Sequence, residues 1–170
     1  MSDMKKRMAA GWISGLHDGT PCGLGSTLAA TEGIRESLPA LVRKYEIHKV
    51  CDAGAGDLHW ITRMAWDVDY HAFDLIVRHP SVTALDITTE RLPSADLILC
   101  RAVLNHLNDV QVREAIGLFK RAGTYLLATQ FPLAVRAFGD FSPLDLREYG
   151  LGEPLESLRD HPGELALWKL

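Results

Sequence analysis

Apolar positions along the chain follow two alternating rhythms. Short apolar runs at 48–52, 70–74, 82–86, 95–100 and 124–130 read as strands, each ending in an acid, a glycine or a polar turn. Helical spacing occupies the stretches between them. It appears at Leu28, Ile34, Leu38, Leu41, Val42 and Tyr45, again at Leu58, Trp60, Ile61 and Met64, and at Val112, Ile116 and Phe119. Pro39 should break or kink the first of these helices, with Ser37 capping a second short helix that starts beside it. The helix over 109–121 carries a start signal, Asn108 with Gln111 three residues on, and Gly123 stands where a C-terminal cap belongs. The connection from Asp74 to Val82 is too short for a helix and predicts a reduced crossover. Residues 132–163 mix proline, glycine and charge without a clean period and read as an irregular insertion with one short strand or helix. Residues 165–170 close the chain as a strand, and residues 1–22 read as a mobile leader. The alternation predicts one three-layer α/β domain over 23–170, its sheet mostly parallel and its last strand antiparallel.

The candidate chemistry sits where the first strand ends. Val50-Cys51-Asp52-Ala53-Gly54-Ala55-Gly56-Asp57 is an apolar run, an acid and two glycines one residue apart, directly before a helical pattern. Glycine suits such a turn because it accepts positive φ and lets a ligand approach the backbone. A structural strand-to-helix turn also favours glycine, so the pair alone decides nothing. The dinucleotide fingerprint wants a third glycine three residues after the second, and that position is His59. Asp52, two residues ahead of Gly54, is also foreign to that fingerprint. The next acids fall in step. Asp74 ends the second strand 18 residues after Gly56, near the spacing of a ribose-binding acid, and Asp86 ends the third. The fourth run, Ala95 to Cys100, leads into Arg101-Ala102-Val103-Leu104-Asn105-His106-Leu107.

The order D-x-G-x-G, acid, acid, loop resembles the S-adenosylmethionine-dependent methyltransferases with a Rossmann-like fold. Further segments resemble a small bacterial and phage-type group within them: Gly23-Leu24-Gly25-Ser26-Thr27 ahead of Thr31, Ile34-Arg35 and Leu38-Pro39; Gly56-Asp57-Leu58-His59-Trp60; Leu92 to Arg101; and Leu165 to Leu170. The resemblance implies S-adenosylmethionine as cofactor. It implies Gly54 and Gly56 against its backbone, Asp52 near its amino-acid portion, Asp74 on the ribose and Asp86 on the adenine. Ser26 and Thr27 would close over it from the leader side. The loop after the fourth strand would face the transferring methyl, which makes Arg101, Asn105 and His106 the catalytic candidates. The unperturbed pKa of imidazole lies near neutrality, so His106 suits a general base; packing before the 109–121 helix explains it equally well.

Composition narrows the options. In 170 residues, 47% are hydrophobic, enough for a core, and the net charge of −4 argues against broad binding to duplex DNA. No apolar run approaches a membrane span, and no apolar stretch follows Lys5-Lys6-Arg7 to make a signal peptide. Cys22, Cys51 and Cys100 form no paired framework, which points to a reducing, cytoplasmic setting. The seven histidines lack metal-ligand spacing, so no metal site is expected. The loop after the fourth strand has neither the Asn/Asp-Pro-Pro-aromatic motif of amino-methylating DNA enzymes nor a Pro-Cys nucleophile. The expected activity is methylation, with a small polar molecule or sugar hydroxyl as acceptor. Two alternatives stand beside it: a non-catalytic cofactor-binding partner, and a nicotinamide-dependent oxidoreductase.

Overall fold

The computed structural model describes residues 17–131, 142–160 and 163–170. Most of the expected leader (residues 1–16) and the phenylalanines at 138 and 141 lie outside them. Seven strands form one sheet: β1 (Lys49–Ala53), β2 (Asp69–Asp74), β3 (Val82–Ala84), β4 (Ala95–Cys100), β5 (Gly123–Gln130), β6 (Glu156–Arg159) and β7 (Glu164–Lys169). Their order across the sheet is β3-β2-β1-β4-β5-β7-β6. The first five strands run parallel, and β7 is antiparallel to both β5 and β6. The chain steps from β1 outward to β2 and β3, then returns past β1 to β4. That reversal opens a crevice at the carboxyl ends of β1 and β4, where open α/β sheets bind ligands.

Alternation along each strand splits the core between two faces. Leu97, Leu99, Leu127, Leu165 and Leu167 pack with helix α1 (Glu32–Lys44) through Ile34, Leu38, Leu41 and Val42. Cys51, Ile98, Cys100, Leu126, Ala128 and Trp168 pack with helix α2 (Asp109–Phe119) through Val112, Ala115, Ile116 and Phe119. The α2 start is a full capping box: Gln111 N–H donates to the Asn108 side chain at 3.0 Å, and Asn108 N–H donates to Gln111 Oε1 at 3.2 Å. The β2–β3 connection contains no helix, as its length requires.

Five expectations are corrected. The apolar set Leu58, Trp60, Ile61 and Met64 is buried but forms no α-helix; one 3₁₀ turn, Ile61–Arg63, replaces it. Gly56 and Leu58 both have φ of +62, and left-handed residues cannot start a right-handed helix. Pro39 lies inside a continuous α1 and starts no second helix, and Ser37 Oγ donates back to Gly33 O at 2.6 Å. Burial of Leu38, Leu41 and Val42 holds the helix together across the lost hydrogen bond. Gly123 is no helix cap but the first residue of β5, where a Cβ would lie 2.6 Å from Ile98 Cγ1. β3 stops at Ala84, two residues short of the expected end, because Asp86 turns the chain. The described part of the 132–163 segment holds a 3₁₀ turn, Leu146–Tyr149, and strand β6, one element more than expected.

Pro39→Ala should restore an N–H for the Arg35 carbonyl and relieve the ring's crowding of the preceding turn. The expected gain is about 1–3 kcal/mol, read from urea denaturation midpoints at unchanged slope. A variant no more stable than the wild type would show that α1 already absorbs its proline without cost.

Candidate cofactor and active site

Four residues with positive φ stand at the crevice. Gly54 (+110), Gly56 (+62) and Leu58 (+62) line the turn after β1, and Ala102 (+54) opens the loop after β4. Such angles are costly for residues with a Cβ and persist where surrounding contacts over-determine them. Ala102 is held by its N–H, which donates to the buried Thr129 Oγ1 at 2.9 Å. The two loops touch at Gly54, where a Cβ would stand 2.2 Å from Val103 Cγ2. Gly54 and Ala55 both donate to the Phe73 carbonyl, at 2.8 and 3.0 Å, which binds the turn to the end of β2.

Asp74 completes that link. Its Oδ2 accepts from Gly56 N–H at 2.9 Å, and its Oδ1 accepts from Ile76 N–H at 2.9 Å. A carboxylate offers about four lone-pair positions, so each oxygen keeps capacity for a further donor. Asp52 lies under the turn, 4% exposed, and accepts from the Tyr70 hydroxyl at 2.6 Å. Burial pushes its pKa up to about 7; the Tyr70 hydrogen bond opposes this, Asp74 adds to it and Arg101 lowers it. The same burial and the adjacent Asp52 raise Tyr70, which therefore stays a donor.

The remaining candidates divide. Asp86 is tied into its own turn, its Oδ1 accepting from Thr88 N–H at 3.0 Å and Thr88 Oγ1 at 2.6 Å. It stays beside the crevice because Leu85 N–H donates to Asp74 O. Ser26 and Thr27 serve the leader: Ser26 Oγ donates to Cys22 O at 3.3 Å and Thr27 Oγ1 to Leu24 O at 2.8 Å. Their segment reaches the glycine turn through Cys22, whose Sγ lies 2.9 Å from where a Gly56 Cβ would stand. Burial, with Asp57 nearby, raises the Cys22 thiol to about 11, so it is a packing group rather than a nucleophile. Asp18 also reaches from this segment, 3.5 Å from His59 Nε2. Arg35 donates to the Leu28 carbonyl at 2.9 Å.

Arg101 is buried and paired in bidentate fashion with Asp160, at 3.0 and 2.8 Å, with its guanidinium 5.5 Å from the Trp60 ring centre. Sequence reasoning missed Asp160, which lies beyond β6 in a segment with no period to mark it. Asn105 and His106 follow in a 3₁₀ turn (Leu104–His106), Asn105 Nδ2 lying 3.1 Å from His106 Nε2. A depression of about 390 Å³, lined by Lys49, Asp96, Lys120, Arg121 and Thr124 among others, lies at the opposite, amino-end edge of the sheet, away from these groups. Among the described residues no cluster of histidine, cysteine and acids could hold a metal ion, and no helix is long and apolar enough to cross a membrane.

No protein-family model matches the chain, and no curated protein does. Solved structures do. Mitomycin 7-O-methyltransferase is 12% identical with a TM-score of 0.57, over 84% of this chain and 58% of that one. The magnesium protoporphyrin IX methyltransferase of Synechocystis PCC 6803, solved with bound S-adenosylhomocysteine, is 12% identical with a TM-score of 0.59, over 82% of each chain. The methyltransferase domain of a bacterial Hen1 is 11% identical with a TM-score of 0.60, over 83% of this chain and all of that one. The chain has the Rossmann-like fold of the class I methyltransferases. It spans little more than half the length of the mitomycin enzyme.

Asp52 gives this fold a pH signature. The folded chain keeps a proton at Asp52 up to about pH 7, whereas an unfolded aspartate releases it near 3.8. The folded state therefore binds more protons between those values, and stability falls as pH rises from about 4 to 7. Asp52→Asn keeps an acceptor for Tyr70 and removes the titration. It should be the more stable form at pH 8, by roughly 1–4 kcal/mol, with the difference shrinking towards pH 5. Denaturation curves at both pH values check this, and an equal difference at both would contradict it.

Proposed function

We propose that the chain is an S-adenosylmethionine-dependent methyltransferase acting on a small polar or sugar acceptor. The observation that carries this reading is the Asp74–Gly56 hydrogen bond of 2.9 Å. It joins the acid closing β2 to the turn closing β1, leaving carboxylate lone pairs beside a backbone that has no side chain of its own. A ribose presents two adjacent hydroxyl donors, which suits that carboxylate. Asp52, buried and in no salt bridge among the described residues, suits the positive charge of the cofactor's amino-acid portion. Asp86, beside Asp74, is assigned to the adenine, with Ser26 and Thr27 on the leader side.

Bound there, the cofactor supplies a methyl group on a cationic sulfur. The residues of the chain then have to position the acceptor and take a proton from it. His106 is assigned the proton-accepting role and Asn105 the acceptor contact. Arg101, held by Asp160, fixes the start of their loop. Residues 23–170 make up the working unit, preceded by the leader of 1–22, with 132–163 on the acceptor side.

The nicotinamide reading loses support. A dinucleotide pyrophosphate sits on the N-terminus of the helix after the glycine turn. Here Asp57–Val68 holds one 3₁₀ turn and no such helix.

Calorimetry with S-adenosylhomocysteine and NAD separates the readings: the first should bind and the second should not. Asp74→Ala should weaken S-adenosylhomocysteine by about 1–3 kcal/mol while the protein still melts cooperatively. Wild-type affinity in a folded Asp74→Ala protein would remove Asp74 from the site, and NAD binding would overturn the proposal. With an acceptor in hand, His106→Ala should lower turnover about 10²-fold at unchanged cofactor affinity.

A further inference from the structure

We propose that Gln130 and Glu164, together with Asn105, form a subsite for a hydrogen-bond donor, an amine or a hydroxyl, on the methyl acceptor; this rests on the methyltransferase reading. Gln130 ends β5 opposite Glu164, the first residue of β7. It is 2% exposed, and its Nε2 donates to Glu164 Oε1 at 2.6 Å. In that bond the amide NH₂ is the donor and Glu164 Oε1 the acceptor. The amide oxygen is thereby turned away from it. That oxygen is buried and has no hydrogen-bond partner.

Asn105 repeats the pattern. It is 3% exposed, its NH₂ faces the His106 ring, and its Oδ1 is buried without a partner. Gln130 ends β5 and Asn105 lies in the loop after the neighbouring β4, and residues 142–144 bond both to Asn105 and to Phe131, the residue after Gln130. Ser142 N–H donates to Asn105 O, and two residues on, Leu144 O accepts from Phe131 N–H. Unpartnered buried oxygens are uncommon in folded proteins, because desolvating them costs free energy that nothing returns. Two of them on one support, next to a half-buried carboxylate, make a set of acceptors. The complementary ligand group is an N–H or O–H donor. Gln130 lies on the same edge of the sheet as Asn105 and His106, one strand along from the β4 loop that carries them.

The test uses the full chain with S-adenosylhomocysteine present and two sugars as probes, glucosamine and glucose, titrated by NMR. The wild type should bind at least one of them. Gln130→Met keeps the side-chain length and removes both amide groups. It should weaken that sugar about 10-fold or more, leave S-adenosylhomocysteine affinity unchanged and melt close to the wild type. Glu164→Gln should weaken glucosamine more than glucose if the donor is an amine, and both alike if it is a hydroxyl. Binding of neither sugar by the wild type, wild-type sugar affinity in Gln130→Met, or a large drop in its melting temperature would each overturn the proposal; the last would make the amide a structural group. Should S-adenosylhomocysteine fail to bind the wild type, the cofactor reading falls, and the same titrations without it still decide the subsite.

Discussion

Gly54 has room for a hydrogen and nothing larger, and the carboxyl edge of the sheet is organised around that fact. With a Cβ 2.2 Å from Val103, no other residue allows the turn after β1 and the loop after β4 to close on each other. Their contact fixes the crevice that strand order alone only makes possible. The Phe73 carbonyl, taking two N–H groups from the turn, and the Asp74 carboxylate, taking one more, then tie β2 to the same point. Three strand ends are held together by one missing side chain and three hydrogen bonds. Glycine at 54 is therefore required by the protein's own packing, with or without a ligand.

The charges beneath this edge are balanced unevenly. Arg101 and Asp160 pair in bidentate fashion and are buried together, and good geometry of this kind is the condition under which an interior ion pair is tolerated. Asp52 has a neutral phenol as its close partner and Arg101 at longer range. The folded chain thus holds one carboxyl group that prefers to stay protonated and would gain most from a cation arriving at the crevice. The asymmetry between a closed pair and an open acid is a reason to look for a cationic ligand on the Asp52 side rather than an anion beside Arg101.

Much of this was legible in the chain, for reasons that differ by residue. Parallel strands buried on both faces read as apolar runs, so β1, β2, β4 and β5 could be placed within a residue or two. The Asn108/Gln111 box is a local signal read by local chemistry, and it survives intact. The acids Asp52 and Asp74 were visible because their spacing from the glycines is set by strand length. The failures were non-local. Leu58 to Met64 have helical spacing, but two left-handed residues ahead of them forbid the helix, and the same apolar side chains fill the core from an irregular path. Pro39 should have ended a helix, yet buried neighbours on both sides carry it through. Asp160 had no periodic context, and Gln130 was only the last residue of a strand. Each acquires meaning only from a partner brought by the fold, Arg101 across 59 positions and Glu164 across 34.

The loop after β4 shows how such partners produce a site. Ala102 is held in a conformation it would not choose alone, by a hydrogen bond to Thr129 on the next strand. Arg101 is pinned by Asp160, and the Asn105 carbonyl by Ser142. The backbone from 101 to 105 is thus fixed at three points by three other parts of the chain. Against that rigidity, the amide oxygen of Asn105 stands unpaired. A loop built merely to connect a strand to a helix would spend its polar groups on itself, as the Asp86 turn does with Thr88. This loop spends its backbone on being immobile and leaves a side-chain acceptor unspent. Preorganised acceptors are how a protein orients a small molecule without paying to rearrange when it arrives. A fixed backbone beside an unsatisfied side-chain acceptor is what such a site needs, and the loop after β4 has both.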